Sequence, residues 1–360
     1  VTPNVTACNI TGAIDGISSD AMVLLSAHYD SYFQGFQDDN TAVGMMLSIA
    51  KAIKEAHLRP RKTLVFCAMA AEEWGACNTQ YDWSTGAYNQ IFRIHPEWVG
   101  KAIVDINLEL PARRHAKRHM IRSVFEYKPF LKAQLQALPP RFASLYPNGV
   151  GIISPVQSWS DDFSMALAGV PSMVNEFGTG SFMETHYHSQ FDNDSAYDRE
   201  AYEFHHRLYS RLLLAFDGQM LPPLHFGPRL EAMGETLTDQ NLPPSLEGAF
   251  RTALDQALQN ARALYRLTER LNAKQRELLL HDPAAAAVLD ARMLTAKKLL
   301  LTIFHFCQTH FVALDWYDEA MLPHEIFQYN IDQLRRAVWQ LAANRGADAF
   351  SSLCNVDNNR

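Results

Sequence analysis

The chain has 360 residues, 48% hydrophobic and 20% charged, with a formal net charge of −7. That is the balance of an ordinary soluble globular protein with a substantial core, and its mild acidity gives nucleic acid no global attraction. Five cysteines (Cys8, Cys67, Cys77, Cys307, Cys354) are odd in number and scattered, so they define neither a disulfide framework nor a cysteine zinc knuckle.

No apolar run approaches the roughly 20 residues of a membrane span, and the opening "VTPNVTACNI" is not a basic-then-apolar leader. In chain order, "AMVLLSAH" and "KTLVFCAMA" are strongly apolar runs bounded by polar segments, which predicts strands covered on both faces, with Cys67 in the core. Between them "NTAVGMMLSIAKAIKEAHL" sets Val43, Met46, Leu47, Ala50 and Ile53 at helical spacing, and Pro60 closes the connection. A helix-compatible segment follows Glu73. Next come the strand "KAIVDINLEL", a helical pattern from Pro129 to Ala137, the helix-like "SDDFSMALAG" and the strand "VPSMVNEF". This alternation predicts an α/β fold with a mixed, mostly parallel central sheet and helices on both faces. Pro222, Pro223 and Pro228 mark a boundary. Beyond it, stretches such as "FRTALDQALQNARALYRLTERL" carry helical patterns with almost no strand signal, which predicts a C-terminal α-helical bundle.

Acids and histidines gather where strands end. His28 and Asp30 of "HYD" share one face at the C-terminal end of a strand, where ligands of open α/β sheets collect. "FQDDN" follows on the loop. The next strand runs into Glu72 and Glu73, and adjacent buried carboxylates are costly without a cation beside them. A third strand ends in Glu109, and "METHYHSQFDN" supplies His186 and His188 after a fourth. Histidine with carboxylates is a ligand set that suits zinc.

The order His-x-Asp, Asp-Asp-Asn ahead of a helix, Glu-Glu-x-Gly, Asn-Leu-acid and Tyr-His resembles the co-catalytic zinc peptidases. That family includes leucyl aminopeptidases, glutamate carboxypeptidase and the transferrin receptor. "RPRKTLVFCAMAAEEWG" and "SWSDDFSMALAGVPS" are similar to further family elements, and the likeness runs over about residues 8–218. It implies that Asp39 bridges two zinc ions, one also held by His28 and Glu109 and the other by Glu73 and His188. It further implies Glu72 as general base and Tyr187 as a hydrogen-bond donor to the developing oxyanion. Asp30 could take the other ring N–H of His28 or orient the loop, and Asp161 reads either as a support of the His188 loop or as a plain N-cap of the helix it opens. Asp38 is expected to belong to the loop rather than to the bridge, and His186 to be a spare. Cobalt and manganese suit the same ligands. The chain departs from the family at Val43, where Gly is usual, and at Glu109, where Asp is usual. It also has only about 20 residues ahead of the first motif, so strands that precede it in the family are expected to be missing.

The resemblance implies a zinc metallo-aminopeptidase acting on peptide substrates. A glutamate carboxypeptidase-like enzyme and a non-catalytic receptor-like protein are the alternatives, while a one-zinc glutaminyl cyclase fits five occupied ligand positions poorly. Residues 1–225 would form the catalytic domain. Residues 226–360 are similar to the transferrin receptor-like dimerisation domain, which implies a homodimer through the C-terminal helices. "PARRHAKRHM" reads either as a receiver of a substrate carboxylate or as a solvated loop. Trp74, Trp159, Phe177 and Phe182 are candidates for an apolar specificity pocket or for plain core. The sequence leaves the compartment open.

Overall fold

The computed structural model describes residues 6–74, 84–142, 144–157, 160–177, 181–238 and 244–311. Its centre is a seven-stranded sheet made of β1 (Ile10–Ile14), β2 (Ser18–His28), β3 (Lys62–Met69), β4 (Ala102–Asn107), β5 (His119–Ser123), β6 (Val150–Ile153) and β7 (Ser172–Asn175). The spatial order is β1-β3-β2-β4-β7-β5-β6. The pairs β3/β2, β2/β4, β4/β7 and β5/β6 are parallel, whereas β1 and β5 join their neighbours β3 and β7 antiparallel. The expected mixed, mostly parallel sheet is thus the observed one. Strands β2, β3, β4 and β7 run the same way, so their C-terminal ends share one edge.

The unbroken apolar runs of β2 and β3 are explained by two cores. Val23, Leu25 and Ala27 of β2 face α1 (Thr41–Glu55) and α6 (Arg199–Asp217), through Met45, Ile49, Phe204 and Leu208. Leu24, with Val65, Cys67 and Met69 of β3, faces the opposite core beside α2 (Thr85–Asn89) and α4 (Asp161–Ala168). Strand alternation sends neighbours to opposite faces, and here both faces are covered. In α1 the buried residues are Thr41, Ala42, Met45, Met46, Ile49 and Ile53, while Leu47 is 60% exposed. The helix is therefore rotated from the expected stripe. Both stripes are apolar enough, and the anchored loop before Thr41 selects between them.

β1, β5 and β6 were not expected. Each is short, and β1 lies on the sheet edge with four of its five residues exposed, so it carries little apolar pattern. Two short helices, α3 (Lys128–Gln136) and α5 (Ser181–Thr185), complete this layer.

Beyond it come α7 (Gly227–Thr238), the 38-residue α8 (Pro244–His281), α9 (Pro283–Arg292) and α10 (Leu294–Phe311). They form the expected C-terminal helical region, and they share a core with the sheet layer: Ala261, Leu300, Leu301 and Phe304 belong to the same buried cluster as Val23 and Phe216. Polar contacts pin them as well. Arg229 of α7 forms a buried ion pair with Glu126, and the Asn272 side chain bonds both the N–H and the carbonyl of Leu221. Residues 312–360 of the expected second domain, and Trp159, lie outside the described residues.

Candidate metal centre

His28 is the last residue of β2 and is 1% exposed. Its Nδ1 lies 2.9 Å from the carbonyl oxygen of Asp30. A carbonyl only accepts, so Nδ1 carries the proton and Nε2 is turned inward. There it meets Asp38 Oδ1 at 3.0 Å and Glu109 Oε2 at 3.6 Å. The other oxygen of Asp38 lies 3.2 Å from His188 Nε2, which is itself 3.0 Å from Glu73 Oε2. Two groups of ligand atoms therefore share one aspartate: His28, Asp38 and Glu109, and Asp38, Glu73 and His188.

That aspartate is Asp38, whereas the expected bridge was Asp39. In the turn Phe36–Asn40 the two side chains part. Asp39 points behind the site, where its Oδ1 accepts the N–H of Leu110 at 3.0 Å, and burial followed by the Glu109 carboxylate pushes it well up. Spacing alone cannot tell which member of an Asp-Asp pair faces the strand ends, because the local backbone decides.

Each remaining ligand is held by its surroundings. Beta strand β3 ends at Met69, and the backbone N–H groups of Glu72 and Glu73 donate to the two oxygens of Asp30 at 3.0 and 3.2 Å. Asp30 thus supports both His28, through its carbonyl, and the Glu-Glu turn, through its carboxylate. Glu109 receives Asn107 Nδ2 at 3.0 Å, and its N–H donates to Asn175 Oδ1 at 3.1 Å at the end of β7. Tyr209 of α6 donates to that same Asn175 oxygen at 2.7 Å. Asp161, at the N-terminal turn of α4, is fully buried with neither carboxylate oxygen hydrogen-bonded. Its charged neighbours are His28, Glu109, Asp30 and Asp105, so it stands on the His28 side of the site.

The electrostatics are those of a site short of positive charge. Burial, then the neighbouring carboxylates, push Glu72 well above the usual range, and Glu73 rises to about 7. His188 is pushed up to about 9, because Asp38 and Glu73 outweigh the opposing effect of burial. Asp38 is held low by His188 and His28 despite its burial. Oxygens Asp39 Oδ2 and Glu73 Oε1 are buried without a hydrogen-bond partner. Crowded acids, an inward-turned imidazole nitrogen and orphaned oxygens fit a dication of the zinc type bound by nitrogen and oxygen.

Glu72 is 8% exposed, accepts a hydrogen bond from Ser84 Oγ at 3.2 Å and shares a ligand-sized cluster with His28 and Glu73. The Tyr187 ring stacks on His188 at 3.7 Å, and its phenol is pushed up by burial and then by Asp38, Glu72, Glu73 and Glu109. His186 stands apart, with Nδ1 2.6 Å from Thr185 Oγ1 and its ring on Phe182. Phe177 and Phe182 belong to a small buried cluster with Leu110 and Val174, whereas Trp74 is 57% exposed and packs on Tyr32. In the basic segment Arg114 pairs with Asp198 at 2.7 Å, Arg113 lies over Phe182, and His115 bonds the Leu110 carbonyl.

Sequence reasoning missed Tyr32, whose ring packs on His188 at 4.5 Å. It also missed Asn175 and Asp192, which reach the site by hydrogen bonds to backbone and so leave no spacing to read.

An α/β sheet whose parallel strand ends deliver such a cluster defines a metallohydrolase type of centre. Residues 9–213 match peptidase family M28, and the chain belongs to that family. A stretch of 71 residues is 34% identical to a probable glutamate carboxypeptidase of Arthroderma benhamiae, covering 19% of this chain and 10% of that protein. Among solved structures, a zinc aminopeptidase from Bacillus subtilis is similar at 19% identity with a TM-score of 0.45, over 56% of this chain and 48% of that one. A glutaminyl cyclase from Porphyromonas gingivalis is similar at 21% identity with the same TM-score, over 57% and 75%. The chain thus spans a tenth of the curated relative and about half of the Bacillus enzyme. No helix among the described residues is long and apolar enough to cross a membrane.

Proposed function

We propose that the chain is a zinc metallo-aminopeptidase with two metal positions, one at His28, Asp38 and Glu109 and the other at Asp38, Glu73 and His188. The observation that carries this reading is the sharing of Asp38, one oxygen toward each histidine. Bound zinc would polarise the scissile carbonyl and lower the pKa of the attacking water. Glu72 would take the proton of that water and hand it to the leaving amine, a role its buried place beside His28 and Glu73 suits. Tyr187 would donate its phenolic proton in a hydrogen bond to the carbonyl oxygen as charge builds there.

The choice of aminopeptidase rests on charge. Asp30, Asp38, Asp39, Glu72, Glu73, Glu109 and Asp161 crowd the site, with His28 and His188 as the bases among them. Any carboxylate that stays ionised beyond what two dications neutralise would attract a protonated α-amino group and repel a C-terminal carboxylate. A glutamate carboxypeptidase-like activity is the second reading, favoured by the 34% identity to the Arthroderma protein. It would need a cation such as Arg113 near the substrate.

Zinc per chain, measured on protein purified without chelator, tests the site, and a panel of peptides with free or blocked ends tests the direction. About two ions and hydrolysis abolished by N-terminal acetylation are expected. Cleavage that survives acetylation but fails with C-terminal amides would move the reading to a carboxypeptidase, and failure to take up zinc would leave the receptor-like alternative. Residues 1–225 would be the catalytic domain, and the helices after 226 would join two chains. Light scattering at micromolar concentration is expected to give the dimer mass.

A further inference from the structure

Three consecutive backbone N–H groups of the loop carrying the shared aspartate end on one residue. Phe36 donates to the carbonyl of Asp192 at 3.3 Å, Gln37 to its Oδ1 at 2.9 Å and Asp38 to its Oδ2 at 3.0 Å. Asp192 is 1% exposed, and it follows His188 on the same short segment, so its carboxylate lies between two pieces of chain that each bring a ligand. The tie is reinforced on either side: Gln37 Nε2 donates to the carbonyl of Ala196 at 3.4 Å, and Phe36 meets Tyr197 edge-on. In return Gln37 Oε1 accepts the N–H of Ala112, just beyond Glu109, at 3.2 Å.

We propose that Asp192 is a positioning residue of the metal centre. Its carboxylate fixes the Asp38 backbone relative to His188, so that one aspartate reaches both histidines at once. The inference rests on the two-metal reading above. The physical reason is geometric. A shared carboxylate must meet two ions a few ångströms apart, and a loop free to drift by about 1 Å would satisfy one ion at the expense of the other. Two charge-assisted bonds to adjacent N–H groups remove that freedom. Such outer partners typically change metal affinity or activity by about 10–100-fold when lost.

Asp192→Asn tests this, because the amide keeps one acceptor but turns an NH2 toward the N–H of Asp38 or Gln37. Asn193→Ala is the comparison: it loosens the same segment by removing a side chain that accepts from Ser195 N–H, without touching the Asp38 loop. Zinc affinity by chelator competition, melting of the metal-free chain and steady-state kinetics are read for both. In Asp192→Asn one of two ions is expected to weaken by at least about tenfold, and kcat to fall with little change in KM. Asn193→Ala should keep both ions at wild-type affinity, while the metal-free forms of the two variants melt alike. Wild-type affinity for both ions in Asp192→Asn would overturn the positioning role and leave the metallopeptidase reading standing. An equal loss in Asn193→Ala would reduce Asp192 to a general staple of the segment. A wild-type chain that takes up no zinc would sink both proposals.

Discussion

Two polar clusters lie buried on either side of the loop after Glu109, and they solve burial in opposite ways. At the strand ends, carboxylates are packed against one another with two histidines among them, and burial pushes Glu72, Asp39 and Asp161 up. A few residues on, His205 Nδ1 donates to the carbonyl of Pro111 at 2.6 Å and its Nε2 faces His119 Nδ1 at 3.4 Å, with Tyr146, Phe204 and Tyr209 around them. Here burial drives the imidazoles down, His205 to about 4 and His119 well below its ordinary value. The second cluster avoids buried charge by staying neutral, although His115 Nδ1 and His119 Nε2 are buried without a hydrogen-bond partner. The first can shed its crowded negative charge only by binding protons or cations, as the proposed metal site would.

The largest effect expected is on turnover. Glu72→Gln keeps the shape and the Ser84 hydrogen bond but cannot take a proton, so kcat should fall by about 10³-fold or more with zinc still bound. A variant near the wild-type rate would remove Glu72 from the role of base. Next comes the identity of the shared ligand. Asp38→Asn should lower zinc content measurably, whereas Asp39→Asn, which can still accept from Leu110 N–H, should keep both ions. Metal analysis giving the reverse would restore Asp39 as the bridge.

The first cluster was legible in the sequence because its residues sit at strand ends that apolar runs announce. His28, Glu73 and Glu109 follow "AMVLLSA", "KTLVFCAMA" and "AIVDIN", and His188 closes a Tyr-His pair, so all four came with the motif order. Asp38 did not, since two adjacent aspartates are equivalent until the turn is built. The histidine cluster was invisible for another reason. His115, His119 and His205 come from a loop, an unanticipated strand and a helix, and each reads alone as an ordinary residue. Fold class was legible from alternating apolar runs and helical patterns. The edge strand β1 and the packing of α8 and α10 onto the sheet were not, because exposed strands and amphipathic helices do not name their partners.

The neutral cluster should show itself as acid sensitivity. His205 faces His119 and His115, with Asp198 near it and Arg113 near His115. Unfolded, it takes up a proton near its ordinary value of about 6.5; folded, it resists to about 4. Between those values the unfolded chain binds more protons, so stability present above pH 6.5 is lost as pH falls toward 4, by about 3 kcal/mol from this residue. His205→Asn can still donate to Pro111 and cannot titrate, so its denaturation midpoint should fall less steeply over that window. An unchanged slope would place the acid sensitivity elsewhere.

The crowded cluster should carry the opposite sign, and only while metal-free. Glu73 ionises near its ordinary 4.5 when unfolded but at about 7 in the fold, with burial as the first cause and Asp38 adding to it. The folded chain then holds the extra proton between those values. Its contribution is present below pH 4.5 and is lost as pH rises through 7, by about 2 kcal/mol after screening by solvent. Zinc inverts this. Ionised ligands bind it more tightly, and whatever binds only the folded chain stabilises it. From pH 5 to pH 8 the stripped protein should therefore lose melting temperature relative to the zinc-loaded protein, a difference in which the His205 contribution cancels. Glu73→Gln should shrink that pH-dependent difference and weaken zinc at the His188 side. If stripped and loaded protein melt in parallel across this range, the crowding of Glu73 is relieved by something other than metal, and the contrast between the two clusters fails.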